Sequence, residues 1–547
     1  MKKHILSLIA LILCLSMALC ACGGDNTTLP SQASTTVPSS PTTPSDPEAS
    51  TPDIPHFSEM AYSRPDPDAL LKAIETCEKL VDGEKDPLIE ALTEYVNLLS
   101  SYLTNQRLAN IHYNLNLTDE KWEEEFNFCS DGITAIQSRQ DALLRKLAAC
   151  PYREELEDEE LFGEGFFDDY DGESIWTEEF TALVDQEMDL QAKYYTVYAD
   201  ATTSGSIDEK GFQALAELYV QMIKLRHQIA QAAGYDDYST YSYELEYDRD
   251  FTPEQAQNYL DDIARELGPL YEDIYSDSKL LNNLLKEQTE ADTFQFVQTL
   301  AQNTSGVIAD CFQLMDEYGL YDITMSPNKM ATSFVTFLPD YMVPFVLVNP
   351  IGYNYDSLTF AHEFGHFCNT YLSNGNVVST DVAEFFSQAM EFLSLNYSNS
   401  DSALTKLKMY TSLGIYVEQA LFASFELEVY NIPVEDLTVE ILRQTYNEVM
   451  EKFGLDTRYY SDTGFVSVTH FYIAPQYVIS YVVSNDAAMQ IYELEQTESG
   501  KGLSCYTAHL DTTEDYLLRF LEQAGLKSPF APGRTEAVRK IFEDILK

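Results

Sequence analysis

The chain has 547 residues, and 89 aspartates and glutamates against 33 lysines and arginines give it a formal charge of −56. A surface that acidic repels phosphate, which argues against nucleic-acid binding and keeps the protein away from anionic lipid head groups. The length beyond the N-terminal segments is ample for a large core or two lobes.

Lys2 and Lys3 precede an apolar stretch from Ile5 to Leu19. This is the pattern of a secretory signal, too short for a spanning helix. The stretch ends in Leu19-Cys20-Ala21-Cys22, which resembles a bacterial lipobox. Small Ala21 before Cys22 fits lipidation better than bulky Leu19 before Cys20. Residues 1–22 therefore read as a signal that leaves the protein exported, with a lipid on Cys22 holding it to the outer face of the cell membrane; a signal cleaved without lipidation is the alternative. Residues 23–57, rich in Ser, Thr and Pro, cannot bury enough apolar surface to order themselves and read as a tether. No later stretch is long and apolar enough to span a bilayer.

Residues 58–205 carry helix-period patterns. Asp66-Pro67 starts a helix through Leu70 to Val81. The acidic stretch Glu154 to Glu187, mixed with Phe162, Phe166, Phe167 and Tyr170, lacks the spacing of a calcium loop and reads as a solvated acidic surface. Thr252-Pro253-Glu254 starts another helix within the region 206–547. Strand-like runs are few. Val343 to Asn349 contains Pro344, which suits an edge strand, and an edge at Phe345 and Val346 could pair with an extended peptide. An ordinary covered strand is the alternative. Cys77, Cys129, Cys150, Cys311, Cys368 and Cys505 are scattered, with neither metal-site spacing nor a disulfide framework.

The run Ser357 to Tyr371 contains His362-Glu363-Phe364-Gly365-His366, with Asn374-Gly375 as a stop signal beyond it. On a helix, histidines at i and i+4 share one face and can grip one zinc ion, with Glu363 beside the open position as general base. A third histidine six residues on is excluded, because that position is Leu372. The run Asp381 to Glu391 supplies carboxylates instead. Glu384 and Glu391 are seven apart on a largely apolar helix, where burial is costly unless they are paired or metal-bound. Glu384, 18 residues after His366, is assigned as the third ligand, and Glu391 as a group that holds a ligand histidine or a backbone group in place, a plain solvated acid being the alternative.

These residues resemble the thimet oligopeptidase and oligoendopeptidase F family of zinc peptidases. The resemblance rests on the HEFGH motif and on Ala383 to Glu391, a ligand glutamate followed by Ser387-Gln388 and a second glutamate. It extends to the runs Thr332–Pro339 and Val343–Asn349, which are similar to two short strands before the zinc helix. It also takes in His470-Phe471-Tyr472 with Pro475, Tyr477 and Tyr481, similar to a His/Tyr-rich substrate-binding segment. Arg226 to Tyr238 and Phe520 to Phe530 add helical segments before and after. The resemblance implies a mostly α, two-lobed helical metallopeptidase, with a deep channel and a small β-sheet next to the zinc helix. It implies one zinc ion per chain and oligopeptide substrates.

Glu363 would then take the proton of the attacking water and return it to the departing amine. His470, Tyr472 and Tyr477 are candidates to donate to the developing oxyanion, the alternative being a buried aromatic cluster near Pro475. Tyr481 is a candidate for substrate contact. Ile479 stands where the family often carries a tyrosine, which leaves open which phenol faces the oxyanion. Three readings compete: a zinc endopeptidase, a zinc carboxypeptidase or dipeptidyl-carboxypeptidase, and a peptide-binding lipoprotein that does not cleave. A basic residue placed to catch a substrate C-terminus, such as Lys329 or Arg458, would mark the second. The sequence sets no oligomeric state.

Overall fold

The computed structural model describes residues 54–157, 162, 165–167, 170, 175–202, 207–277, 279–376, 378–455 and 461–547. Cys22, the signal and most of the linker lie outside them, as does Arg458. Helices start where the sequence provides an acceptor for the free N–H groups of a first turn. The side chain of Asp66 accepts from Asp68 and Ala69 ahead of α1 (Pro67–Leu80). Thr252 and Gln255 form a reciprocal capping box at a later helix, Pro253–Glu266.

Two hydrophobic cores result. The smaller is built from α1, from the first half of α2 (Lys85–Leu115), from α3 (Glu120–Ala148), and from Phe162 and Phe167 of the acidic stretch. The larger runs from Phe180 to Leu546, and Leu108 and Ile111 at the far end of α2 belong to it. One 31-residue helix thus reaches from one core into the other. The helix α4 (Glu178–Thr202) packs on α5 (Glu209–Ala232) within the larger core. No helix of the described residues is long and apolar enough to cross a membrane.

The sheet has three strands, β1 (Tyr321–Asp322), β2 (Phe334–Leu338) and β3 (Val343–Leu347), in the order β1-β3-β2. β3 is parallel to β1 and antiparallel to β2, with Val335 opposite Val346. This corrects the reading of β3 as an edge for peptide binding: β3 is central, and Phe345 and Val346 are fully buried. The ladder explains why Pro344 is tolerated. The N–H groups of Val346 and Val348 donate to Leu320 O (3.0 Å) and Asp322 O (2.9 Å). By the period of two, the Pro344 nitrogen faces that same side, before β1 begins to pair, so its missing donor costs no bond. Phe345 packs its ring against Phe57 at 4.1 Å between centroids. The long helix α2 is tied to the β2–β3 connection, where Asp340 N donates to Thr104 Oγ1 (2.8 Å), and to β2 itself, where Arg107 Nη1 donates to Thr336 Oγ1 (3.0 Å).

Candidate metal centre and active site

Two helices carry the site, α6 (Tyr355–Leu372) and α7 (Thr380–Tyr397), the first packed on β3 and both packed on each other. α6 stops at the expected signal, with Asn374 and Gly375 at φ +57° and +77° and Gly375 N donating to Thr370 O. The glycine inside the motif sets the spacing of the pair. A Cβ on Gly365 would stand 2.5 Å from Phe386 O and 2.8 Å from Ser387 Cα. Only glycine lets α7 approach this closely, and that approach brings Glu384 to the histidines.

Donor atoms of His362, His366 and Glu384 lie within 4.8 Å of one another. Glu384 Oε2 is 3.4 Å from His362 Nε2 and 3.8 Å from His366 Nε2, and Ser387 Oγ donates to it at 2.9 Å. His366 Nε2 is buried without a hydrogen-bond partner, and so is Glu363 Oε2. Two imidazoles and a carboxylate that converge this way, one with a buried free nitrogen, fit a divalent transition-metal ion with an open position. The electrostatics agree. Burial, reinforced by the charge of His362 against the pull of Glu384, drives His366 down to about 4, so it is a neutral donor. At His362 burial is outweighed by the Glu391 hydrogen bond and by Glu384, Glu391 and Glu363, which hold it up to about 9, the signature of a pocket that favours a cation. Burial and the like charges of Glu384 and Glu391 push Glu363 up to about 8, close to what a base at neutral pH requires.

Glu391 Oε1 lies 2.9 Å from His362 Nδ1. Its other oxygen accepts from Lys408, on α8 (Ser402–Gly414), a partner the sequence did not suggest. His470 and Tyr477 stack at 5.2 Å, and Tyr481 stands edge-on to both rings, at 6.0 Å from His470 and 5.2 Å from Tyr477. The Tyr477 hydroxyl is 3.5 Å from Glu384 Oε1. Burial, opposed by Glu384, lowers His470 to about 4, so its ring is neutral. Tyr472 is elsewhere: it is fully buried, stacks on Tyr194 at 4.2 Å and donates to Leu215 O. Tyr472 lies two residues after His470 in the helical turn His470–Ile473, so at about 100° per residue the two side chains leave on different sides.

Two buried arginines fix this arm. Arg226 donates to Glu187, to the Tyr430 hydroxyl and to the carbonyls of Phe471 and Tyr472. Arg249 donates to Asp381 on α7, to Gln476 O and to Ser480 Oγ. The aromatic arm and the Glu384 helix are thus held to one another. A cavity of about 320 Å³ opens over the site, lined by residues that include His362, Glu363, Glu384, Glu391, Tyr481, Tyr355 and Thr332–Ser333. Lys329 is not among them. It is buried, and its ammonium is used up on Asp322, Thr324 O and Val348 O.

Two family models match the chain, the peptidase M3 N-terminal domain over residues 57–173 and peptidase family M3 over residues 308–531, together more than half of its length. The chain belongs to peptidase family M3. The fold of this M3 peptidase is that of solved relatives. A structure described as an oligoendopeptidase F superposes with a TM-score of 0.75 at 20% identity, over 90% of this chain and 98% of the other. A PZ peptidase A with a bound inhibitor gives 0.74 at 18% identity, over 90% and 99%. A protein described as an oligoendopeptidase F from Bacillus anthracis gives 0.71 at 18% identity, over 90% and 98%. No curated protein matches the M3 peptidase in sequence.

Proposed function

We propose that the protein is a zinc-dependent endopeptidase that hydrolyses internal bonds of oligopeptides. The observation that carries this is the convergence of His362, His366 and Glu384 from two helices, beside a cavity that His362, Glu384 and Glu363 line, with one carboxylate oxygen of Glu363 unpartnered. A bound zinc ion would supply Lewis acidity, bringing the pKa of water near 7 and polarising the scissile carbonyl. Glu363, buried and raised in pKa, takes the proton of the attacking water and delivers it to the amine nitrogen as the bond breaks. Tyr477, with its hydroxyl beside Glu384 and its ring against neutral His470, is placed to donate to the carbonyl oxygen as it gains charge. Glu391 fixes the orientation of His362.

Endopeptidase action is favoured over release of C-terminal fragments. A carboxypeptidase needs a cation for the terminal carboxylate, and the described lining of the cavity holds no Lys or Arg. A pure binding role has no use for a buried base with one oxygen left unpaired. Quenched fluorescent peptides of several lengths, with Glu363→Gln and a chelator as controls, test the reading. Internal cuts lost in both controls support it; dipeptides released only from C-termini move the activity to an exopeptidase.

We also infer that the protein is exported and anchored through a lipid on Cys22, from the Lys2-Lys3 start, the apolar run and Ala21-Cys22. Mass spectrometry of the N-terminal peptide, with Cys22→Ala and membrane fractionation alongside, decides it. A Cys22→Ala protein that still fractionates with membranes ends this reading.

A further inference from the structure

Large apolar side chains exposed among the described residues are Leu117, Met325, Ile351, Tyr353, Tyr355 and Val434. Isolated ones need no explanation, but four of these six sit together on two turns beside the catalytic cavity. Ile351, 61% exposed, and Tyr355, 39% exposed, line that cavity together with His362 and Glu363. Met325, 50% exposed, reaches across to the same turn: its terminal methyl is 3.3 Å from where a Cβ on Gly352 would stand. Tyr353 is the next residue along.

The turns that present these side chains are not loose. The buried carboxylate of Asp356 accepts from the N–H groups of Ile351 (2.9 Å), Gly352 (2.7 Å) and Tyr353 (3.0 Å). Gln288 N donates to Gly352 O at 3.0 Å and Asn354 N donates to Lys286 O at 2.8 Å. Asn349 clasps the Met325 turn, accepting from Ser326 N and donating to Ser326 O, both at 3.0 Å. Backbone this firmly held could have carried polar side chains at no loss of order. It holds a preformed apolar surface instead, and a preformed surface binds without a large ordering cost.

We propose that Met325, Ile351, Tyr353 and Tyr355 form a subsite for an apolar side chain of the peptide, close to the scissile bond and on one side of it. The proposal rests on the peptidase reading, because Ile351 and Tyr355 line the same cavity as Glu363. A side chain in the cleft fits better than a membrane. The two inner residues face a concave cavity, and a charge of −56 opposes approach to anionic lipid.

The test is a set of peptides varied one position at a time between Phe, Leu, Ser and Gln, with cleavage mapped by mass spectrometry. The native protein should favour Phe or Leu by tenfold or more in kcat/KM at one position relative to the cut, as a filled apolar pocket does. Ile351→Ser and Tyr355→Ser should each reduce that ratio several-fold, with an unchanged melting temperature. Val434→Ser, at an exposed apolar residue away from these turns, should leave the ratio as it is. A ratio that survives in both Ile351→Ser and Tyr355→Ser overturns the proposal, and so does the absence of any apolar preference in the native protein. Flotation with phosphatidylcholine vesicles that Ile351→Ser abolishes would also overturn it, in favour of a lipid surface. Binding of the same peptides to Glu363→Gln protein separates the two readings. Apolar peptides bound in an Ile351-dependent way, with no cleavage by the native protein, would keep the subsite and end the peptidase reading.

Discussion

Lys408, fully buried, pairs with Glu391 at the edge of the cavity, its ammonium 2.9 Å from Glu391 Oε2 and 4.4 Å above the ring of Phe392. The other carboxylate oxygen faces His362 Nδ1 at the same distance of 2.9 Å. Burial alone would raise the Glu391 pKa, but the charge of Lys408 and the bond to His362 outweigh it and hold the carboxyl below its ordinary value. An ionised carboxylate only accepts, so Nδ1 keeps its proton, and Nε2, facing Glu384, is the nitrogen that gives up its proton when a metal ion binds. Lys408 thereby selects the tautomer that can ligate.

Replacing Lys408 by Met should therefore weaken metal binding without touching a ligand. A loss of about 10- to 100-fold in zinc affinity is the usual size for such support. Competition with a chelating dye measures it, and circular dichroism confirms the fold. In a double-mutant cycle with Glu391→Gln the two losses should not add, because both act through His362. A folded Lys408→Met protein with native zinc affinity would show that the pair is only structural.

Gly365 is the second place where the site depends on a residue that touches no metal. An alanine methyl there would lie 2.5 Å from Phe386 O, so α6 and α7 must part. Overpacking of this kind costs about 1–3 kcal/mol. Gly365→Ala should lower the melting temperature, and it should also weaken zinc binding, because the separation carries Glu384 away from His362 and His366. The melting temperature measured with and without chelator resolves both effects. If the variant matches the native protein in each condition, close approach at Gly365 does not position the ligand.

The three candidate metal ligands were legible because ligation imposes a spacing. Two histidines four apart must share a helix face, and two acids on a helix as apolar as 380–397 need a reason to be there. Lys408 was not legible, since a single lysine on a helix looks solvated until the helix is packed. Gly365 carried no signal of its own, because its purpose exists only in the presence of α7. Tyr472 and Tyr477 were indistinguishable for a related reason: which side of the turn His470–Ile473 meets the core shows only once that turn is packed against Tyr194 and Leu215. Pro344 signalled an edge strand correctly for one side of β3 over a few residues, and misled for the strand as a whole.

That distinction between the two tyrosines has a kinetic consequence. Tyr477→Phe removes only the hydroxyl near Glu384 and should reduce kcat by ~10²–10³ with little change in zinc affinity, as loss of an oxyanion donor does. Tyr472→Phe removes a bond to Leu215 O in the core and should lower the melting temperature while kcat stays within a few-fold. Steady-state kinetics and thermal melts on both variants test the pair. Native turnover in Tyr477→Phe would remove Tyr477 from the chemistry and leave His470 as the candidate donor.

The segment that bears Tyr477 also sets a pH dependence of stability. Glu426 is fully buried; its Oε1 accepts from Gln476 N at 2.8 Å and its Oε2 has no partner. Burial pushes this carboxyl from 4.5 up to about 8, against the pull of the Gln476 N–H and of Arg226 and Arg249. The folded protein therefore keeps a proton that the unfolded chain gives up. Below about pH 4.5 both states are protonated and the group exerts no penalty; between there and pH 8 the unfolded state is progressively favoured, and above pH 8 the loss is complete. Glu426→Gln keeps the acceptor for Gln476 and cannot ionise. Its melting temperature should run near the native value at pH 5 and rise above it as the pH approaches 8.5, the gap levelling off thereafter. Parallel melting curves across that window would mean that Glu426 is ionised in the folded protein, stabilised by Arg226 and Arg249 more strongly than burial opposes it.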